Sequence, residues 1–318
     1  MTLFGGITAP LLLLYVIVMK MIANKKWYLV GVILLVLIVV QLITLPPIPT
    51  STVTVVAAED TWGSVVSQIG GKYVNVVSVM TDPNADPHEY EASMLTARTF
   101  ARSSIAIVNG AGYDDWALKL LAANPSATRS EINVSNLLHA TNGANPHFWY
   151  DPLYVEEVSH AIVSVLDAKF PAHKSYFQSN EGRFLASMKV LEQQIGKLKA
   201  IYKGRSFGAT EDIFVYFARF AGLNLISPPS FMRAVAESND PSVASIISME
   251  NQIKTRQIST LIFNTQTITP LTDSIKALAR SNSIPVVGIS EIIEPVGASY
   301  QRWISNEVTA IAAAGRVK

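Results

Sequence analysis

The sequence predicts an α/β fold: two parallel-sheet α/β lobes joined by one long rigid backbone helix, with an N-terminal transmembrane segment. Three observations carry this. Short buried strands alternate with helical patterns across glycine-marked turns, the rhythm of a parallel sheet. That rhythm resumes in kind after a long amphipathic stripe at residues 180–203. The hydrophobic excess, 49% of residues against 15% charged, lies at the start of the chain. The expected organisation is an anchor region and linker at 1–50, a first lobe at 51–178, the connecting helix at 179–204 and a second lobe at 205–318.

Trp27 to Leu45 holds no charge and is long enough to cross a hydrocarbon core of about 30 Å as a helix. Lys20, Lys25 and Lys26 precede it, which by the positive-inside rule puts everything after Pro46 outside the cell. A second apolar stretch, Leu3 to Met19, forms either a first membrane helix or untranslated sequence, because a start at Met19 or Met21 gives an ordinary basic leader. No A-x-A cleavage site follows, and LPPIPTST reads as a stiff linker, so the segment is expected to stay as an anchor.

The first lobe opens with a strand at Thr52–Ala58 and a helix carrying Trp62, Val65, Val66 and Ile69 up to Gly70-Gly71. A strand at Tyr73–Met80, a helix at Ser93–Ser103, a strand at Ile105–Asn109, a helix through Trp116–Ala122 and a short strand and turn at Glu131–Leu138 follow. Asp151-Pro152 starts the next helix, aspartate as N-cap and proline at the first helical position, and it runs to Lys169. Phe184, Met188, Leu191, Ile195, Leu198 and Tyr202 then recur at alternating four- and three-residue spacing, predicting a helix of about 36 Å from Asn180 to Lys203. In the second lobe, strands at Ser206–Ala209, Asn224–Ile226, Thr260–Asn264 and Ile284–Ile289 alternate with helices at Ile213–Ala221, Ser242–Arg256 and Leu271–Ser281, and a closing helix carries Tyr300, Trp303 and Val308.

Composition excludes several chemistries. With no cysteine there are no disulfides, thiolate metal sites or cysteine lipidation. Residues 1–50 hold three of the 25 basic residues and no acid, leaving 22 basic against 24 acidic beyond them, a balance that gives no reason to expect nucleic acid. The phosphate-loop, dinucleotide, zincin and nucleophile-elbow patterns are absent, and no nucleophile is marked.

What remains are imidazoles and carboxylates at the carboxyl ends of strands, where a parallel sheet gathers its ligands. In TDPNADPHEYE, two Asp-Pro steps hold a non-helical loop around His88. His147 stands in NPHFWYDP, just ahead of the Asp151 cap. Taken alone, the first is ordinary turn chemistry and the second a space-filler beside three aromatics. Glu211 lies where a strand meets a helix and would by default serve the helix dipole, with Asp212 competing for that duty. Glu291 follows the strand IPVVGI and would by default be a solvated loop acid. Together the four offer two nitrogens and two carboxylates without sulfur, a set that suits Mn²⁺ or Zn²⁺, with Fe²⁺ acceptable, in a cleft to which both lobes contribute. His139, His160 and His173 are assigned to loops or solvated faces.

Assembled in this order, VVAAEDTWGSVVSQIGG, DPHEYE, NPHFWYDP, TEDIFVYFARFAGL, NTQTITPLTDSIKALA and IPVVGISE with SYQRW resemble the metal-binding subunits of zinc and manganese ABC transporters, solute-binding proteins sometimes labelled adhesins. The resemblance implies histidine ligands at His88 and His147 and a third, histidine or glutamate in the family, at Glu211. The family's fourth ligand is usually an aspartate after the last strand. This chain departs there, with Glu291 taken as the ligand and Glu294 held in reserve. It lacks the histidine-rich loop of some zinc members and the lipid-anchoring cysteine of others, so the N-terminal helix would replace that anchor. The implied function is capture of one divalent ion, Zn²⁺ or Mn²⁺, at the outer face of the cell membrane by a monomer that delivers it to a permease. A metal-dependent hydrolase, and an adhesin with a structural metal, are the competing readings.

Overall fold

The computed structural model describes residues 52–84, 90–141 and 143–316. The membrane segment expected at Trp27–Leu45 lies outside them, as does His88. Among the described residues no helix is long and apolar enough to cross a membrane.

In the first lobe the chain runs β1 (Val53–Glu59), α1 (Asp60–Gly70), β2 (Val74–Met80), α2 (Met94–Arg102), β3 (Ile105–Val108), α3 (Asp115–Ala123), β4 (Ser130–Asn133), α4 (Val134–Leu137) and α5 (Pro152–Lys169). Then come α6 (Lys174–Gly196) and the short α7 (Leu198–Ile201). The second lobe is built from β5 (Ser206–Ala209), α8 (Val215–Ala221), β6 (Asn224–Leu225), α9 (Pro229–Ala236), α10 (Val243–Lys254), β7 (Thr260–Asn264), α11 (Pro270–Ser281), β8 (Val286–Ile289) and α12 (Tyr300–Ala314).

Both sheets are four-stranded and parallel, and their orders correspond: β2-β1-β3-β4 and β6-β5-β7-β8. In each, the order reverses beside the first strand, so a crevice opens between the carboxyl ends of β1 and β3 in one lobe and of β5 and β7 in the other. The continuous runs VVAA in β1 and IAIV in β3 are buried throughout, as strands covered by helices on both faces must be.

The connecting helix differs from its sequence reading at both ends. It begins at Lys174, where the Pro171–His173 turn releases the chain into helix, and the buried Phe177 extends the apolar stripe into that first part. It stops at Gly196 rather than running to Lys203, since glycine in a helix interior costs about 1 kcal/mol relative to alanine. The stripe itself is buried: Phe184, Met188, Leu191, Ile195, Leu198 and Tyr202. Through it α6 packs on α1 and α5 of the first lobe and on α12 of the second. Asn180 Nδ2 donates to the Ile69 carbonyl at the end of α1 (2.7 Å), and Tyr202 OH to the Ile311 carbonyl in α12 (2.6 Å). Helix α9 has no counterpart among the elements read from the sequence: Pro228-Pro229 suggests a turn, whereas Pro229 serves as the first helical residue.

Candidate metal centre

His147 is placed by the segment that enters α5. Asp151 caps that helix, its carboxylate accepting the Leu153 N–H at 3.0 Å, with Pro152 at the first helical position. Phe148, Trp149 and Tyr150 form a single tight turn before it, all buried at the junction of the lobes. Each is tied to the second lobe: Phe148 stacks on Tyr216, the Trp149 carbonyl accepts from Tyr300 OH (2.6 Å), and Tyr150 OH donates to the Ser290 carbonyl (2.7 Å). The imidazole is 0% exposed and meets Trp149 edge-on at 5.4 Å. Its Nδ1 lies 2.7 Å from Asn145 Oδ1, and its Nε2, 3.7 Å from Glu291 Oε1, has no hydrogen-bond partner among the described residues.

Glu211 sits two residues past the end of β5, in extended backbone with φ −140° and ψ 169°, and is 0% exposed. Its side chain makes no cap hydrogen bond to the turn it precedes. Its Oε2 accepts from Asn264 Nδ2 at 3.0 Å. Glu291 follows β8 and is likewise fully buried, contrary to the solvated-loop default. Its Oε2 accepts from Tyr113 OH at 2.6 Å and its Oε1 from the same Asn264 Nδ2 at 2.5 Å. Gln266 Oε1 takes the backbone N–H groups of Glu291 and Ile292, which fixes the turn.

His147 and Glu291 therefore meet directly, and Glu211 joins them through one carboxamide. Among the described residues no three His, Asp or Glu side chains form a ready-made metal shell, and His88 lies outside those residues. Glu294, the reserve ligand, is exposed and lines a different hollow with Pro83, Val296 and Asn306, so the structure does not bring it to this cluster. Of the remaining histidines, His160 pairs on the surface with Glu181 at 2.7 Å and His173 stacks on Tyr73.

Two buried carboxylates side by side repel and demand donors or a cation. Asn264 and Tyr113 supply donors here; burial and the charge of Glu291 push the Tyr113 phenol well above its usual range, so it stays protonated and donating. A second acid pair lies behind Tyr113. Glu59 and Asp114 are 0% exposed, and Asp114 accepts the N–H groups of Asn109 and Gly110, each at 2.7 Å. Burial drives Glu59 well above the carboxylate range, with Asp114 adding to it, and burial raises Asp114 as well. Gly110, at φ +75°, makes this turn possible, since a Cβ there would lie 2.4 Å from Ser135 Oγ. Burial also raises Asp212, which lies 3.5 Å from His147 Nδ1; the Arg233 guanidinium works against that rise. A cavity of about 390 Å³ is lined from both lobes by Tyr113, Asn145, His147, Asp212, Arg233 and Glu237.

Sequence reasoning missed Asn145, Tyr113, Asn264 and Gln266. One signal was present: the buried strand runs IAIVN and TLIFN both finish on asparagine, a polar residue where the ladder ends and a ligand crevice begins.

Two lobes of matching topology on a shared helix, with an imidazole nitrogen from one facing buried carboxylates from the other, define a two-lobed binding protein. Residues 55–314 match the family described as zinc-uptake complex component A, periplasmic (ZnuA), and the chain belongs to that family. Among curated proteins it is similar to a putative metal-binding protein of Thermotoga maritima, 22% identical over 254 residues that cover 79% of this chain and 87% of that one. It is also similar to the zinc-binding lipoprotein AdcA of Streptococcus pneumoniae, 20% identical over 256 residues, covering 75% of this chain and 50% of AdcA, so the chain spans half the length of that relative. In fold it resembles the crystal structure of ZnuA (TM-score 0.67, 22% identity, 83% of this chain and 100% of that one). It likewise resembles the periplasmic zinc-binding protein TroA of Treponema pallidum (TM-score 0.70, 16% identity, 83% and 99%).

Proposed function

We propose that the chain captures one divalent transition metal, Zn²⁺ or Mn²⁺, as cargo between its lobes outside the cell and delivers it to the permease of an ABC transporter. It acts as a binder, not an enzyme, and as a monomer held at the outer face of the membrane by the apolar segment at Trp27–Leu45. The observation that carries the reading is His147 Nε2, fully buried, without a hydrogen-bond partner among the described residues, and 3.7 Å from a buried carboxylate. Nitrogen and carboxylate oxygen without sulfur form a donor set for these ions. His147, Glu211 and Glu291 are the proposed ligands, and His88 is the proposed fourth. Names among the relatives accord with this: AdcA is described as zinc-binding, and the MntA lipoprotein of Halalkalibacterium halodurans as manganese-binding.

The test is a titration of the purified, detergent-solubilised chain with Zn²⁺ and Mn²⁺ in competition against a chromophoric chelator. One equivalent bound, with a melting-temperature rise equivalent to about 4 kcal/mol at a thousandfold excess over Kd, is the expected result. No binding, or several weak equivalents, refutes it.

A further inference from the structure

We infer that Asn145 is the positioning residue of this centre: its carboxamide fixes the tautomer of His147, so that the ring's lone pair is on Nε2, and ties that ring to the second lobe. The inference rests on the metal-capture reading only where it concerns affinity; the tautomer follows from geometry alone.

A carboxamide has an accepting end and a donating end. Asn145 Oδ1 lies 2.9 Å from the His147 backbone nitrogen, a group that only donates. Asn145 Nδ2 lies 2.6 Å from the Asp212 carbonyl, a group that only accepts. Both ends are thus assigned by main-chain partners whose roles cannot change. The same Oδ1 is 2.7 Å from His147 Nδ1, so Nδ1 must carry a hydrogen, and in the neutral ring the lone pair falls on Nε2. In the other tautomer two lone pairs would face each other at that distance. Asp212 Oδ1, at 3.5 Å from Nδ1, is beyond ordinary N–H···O range, so the carboxamide and not the carboxylate holds the ring. The atom left with the lone pair is the one aimed at Glu291.

The second lobe grips residue 145 twice, through the Asp212 carbonyl and through Tyr216 OH, which donates to the Asn145 carbonyl at 2.9 Å. Asp212 is the residue after Glu211. A single side chain therefore sets the nitrogen donor of one lobe against the backbone that carries a carboxylate of the other. The register between the lobes is passed to the ring through it.

Two variants separate the roles. Asn145→Ala removes both the acceptor and the donor; Asn145→Asp keeps the acceptor for Nδ1–H and loses the donor to Asp212. The imidazole ¹⁵N spectrum of the metal-free full-length chain, with the His147 signal identified by its loss in His147→Gln, reports the tautomer. We expect the Nδ1–H form in the wild type and in Asn145→Asp, and a mixture or the Nε2–H form in Asn145→Ala. Zn²⁺ affinity by chelator competition should fall roughly 10–100-fold in Asn145→Ala, the usual effect of losing a group that orients a ligating histidine. An unchanged tautomer in Asn145→Ala, even with a lowered melting temperature, assigns Asn145 a merely structural role and overturns the inference. A wild-type chain that holds the Nδ1–H form but takes no zinc refutes the metal-capture reading and leaves the tautomer assignment supported.

Discussion

The two lobes share a strand order, and each has an asparagine where the third strand of its sheet ends, but they use it in opposite ways. Asn109, past β3, accepts from the Trp62 indole (3.1 Å) and donates to the Pro146 carbonyl (2.8 Å), holding the loop that presents His147. Asn264, at the end of β7, donates to two carboxylates at once, with its Oδ1 accepting the Gln266 N–H. One topological slot therefore secures backbone in the first lobe and buried charge in the second. The difference divides the chemistry: the first lobe offers a neutral nitrogen on a rigid loop, the second offers anionic oxygens that need a cation or donors. Neither half is a site alone.

The largest effects should come from removing a donor on either side. His147→Ala and Glu291→Ala are each expected to weaken Zn²⁺ binding at least a thousandfold, about 4 kcal/mol, with the metal-free fold retained by circular dichroism. If only one of them matters, the division between the lobes is wrong. On the shared helix, Leu191→Ala, at a fully packed position, should cost about 2–5 kcal/mol in denaturant unfolding and lower both lobes in one transition. Its exposed neighbour Val190→Ala should change stability by less than about 0.5 kcal/mol. Two separate transitions for Leu191→Ala would show that the helix does not couple the lobes.

Smaller effects sharpen the contrast between the asparagines. Asn264→Ala leaves two buried carboxylates short of a shared donor and should destabilise the metal-free chain by roughly 1–3 kcal/mol, a loss that bound Zn²⁺ makes good. Asn109→Ala should destabilise the chain with and without metal alike. A last effect is on pH dependence. Burial raises Asp60, which accepts the Ile293 N–H, to about 7, and Glu307, beneath Ser290, to about 8. Both folded values exceed the unfolded ones, so the folded state binds more protons between about pH 4 and 8 and loses stability as pH rises through that window. Melting of the metal-free chain should therefore fall from pH 5 to pH 8, and Asp60→Asn with Glu307→Gln should remove most of that fall.

The fold was legible because its signals are local. Buried strand runs, glycine turns and the Asp151-Pro152 start each need only a few neighbouring residues, and they placed most elements to within a residue or two. The helix ends at Lys174 and Gly196 were not, because they depend on a proline turn and a glycine against which the apolar stripe argues. In the centre, the residue types at 211 and 291 drew attention through their place after strands, and that at 147 through its place just ahead of the Asp151 cap. Their burial could not be read, since it arises from contacts 50 to 180 positions apart, such as Tyr113 to Glu291 and Asn264 to Glu211. The neutral residues that hold them, Asn145 and Asn264, open the stretches NPHFWYDP and NTQTITPLTDSIKALA but carry no charge, and only three-dimensional placement reveals their part.

The central claim is that one ion is held jointly, by nitrogen from the first lobe and carboxylate oxygen from the second. Anomalous diffraction from crystals of the zinc-loaded chain tests it most directly. The account predicts a single ion within about 2.0–2.2 Å of His147 Nε2 and of carboxylate oxygens from Glu211 and Glu291. An ion bound by donors of one lobe only, or lying away from His147, would contradict it.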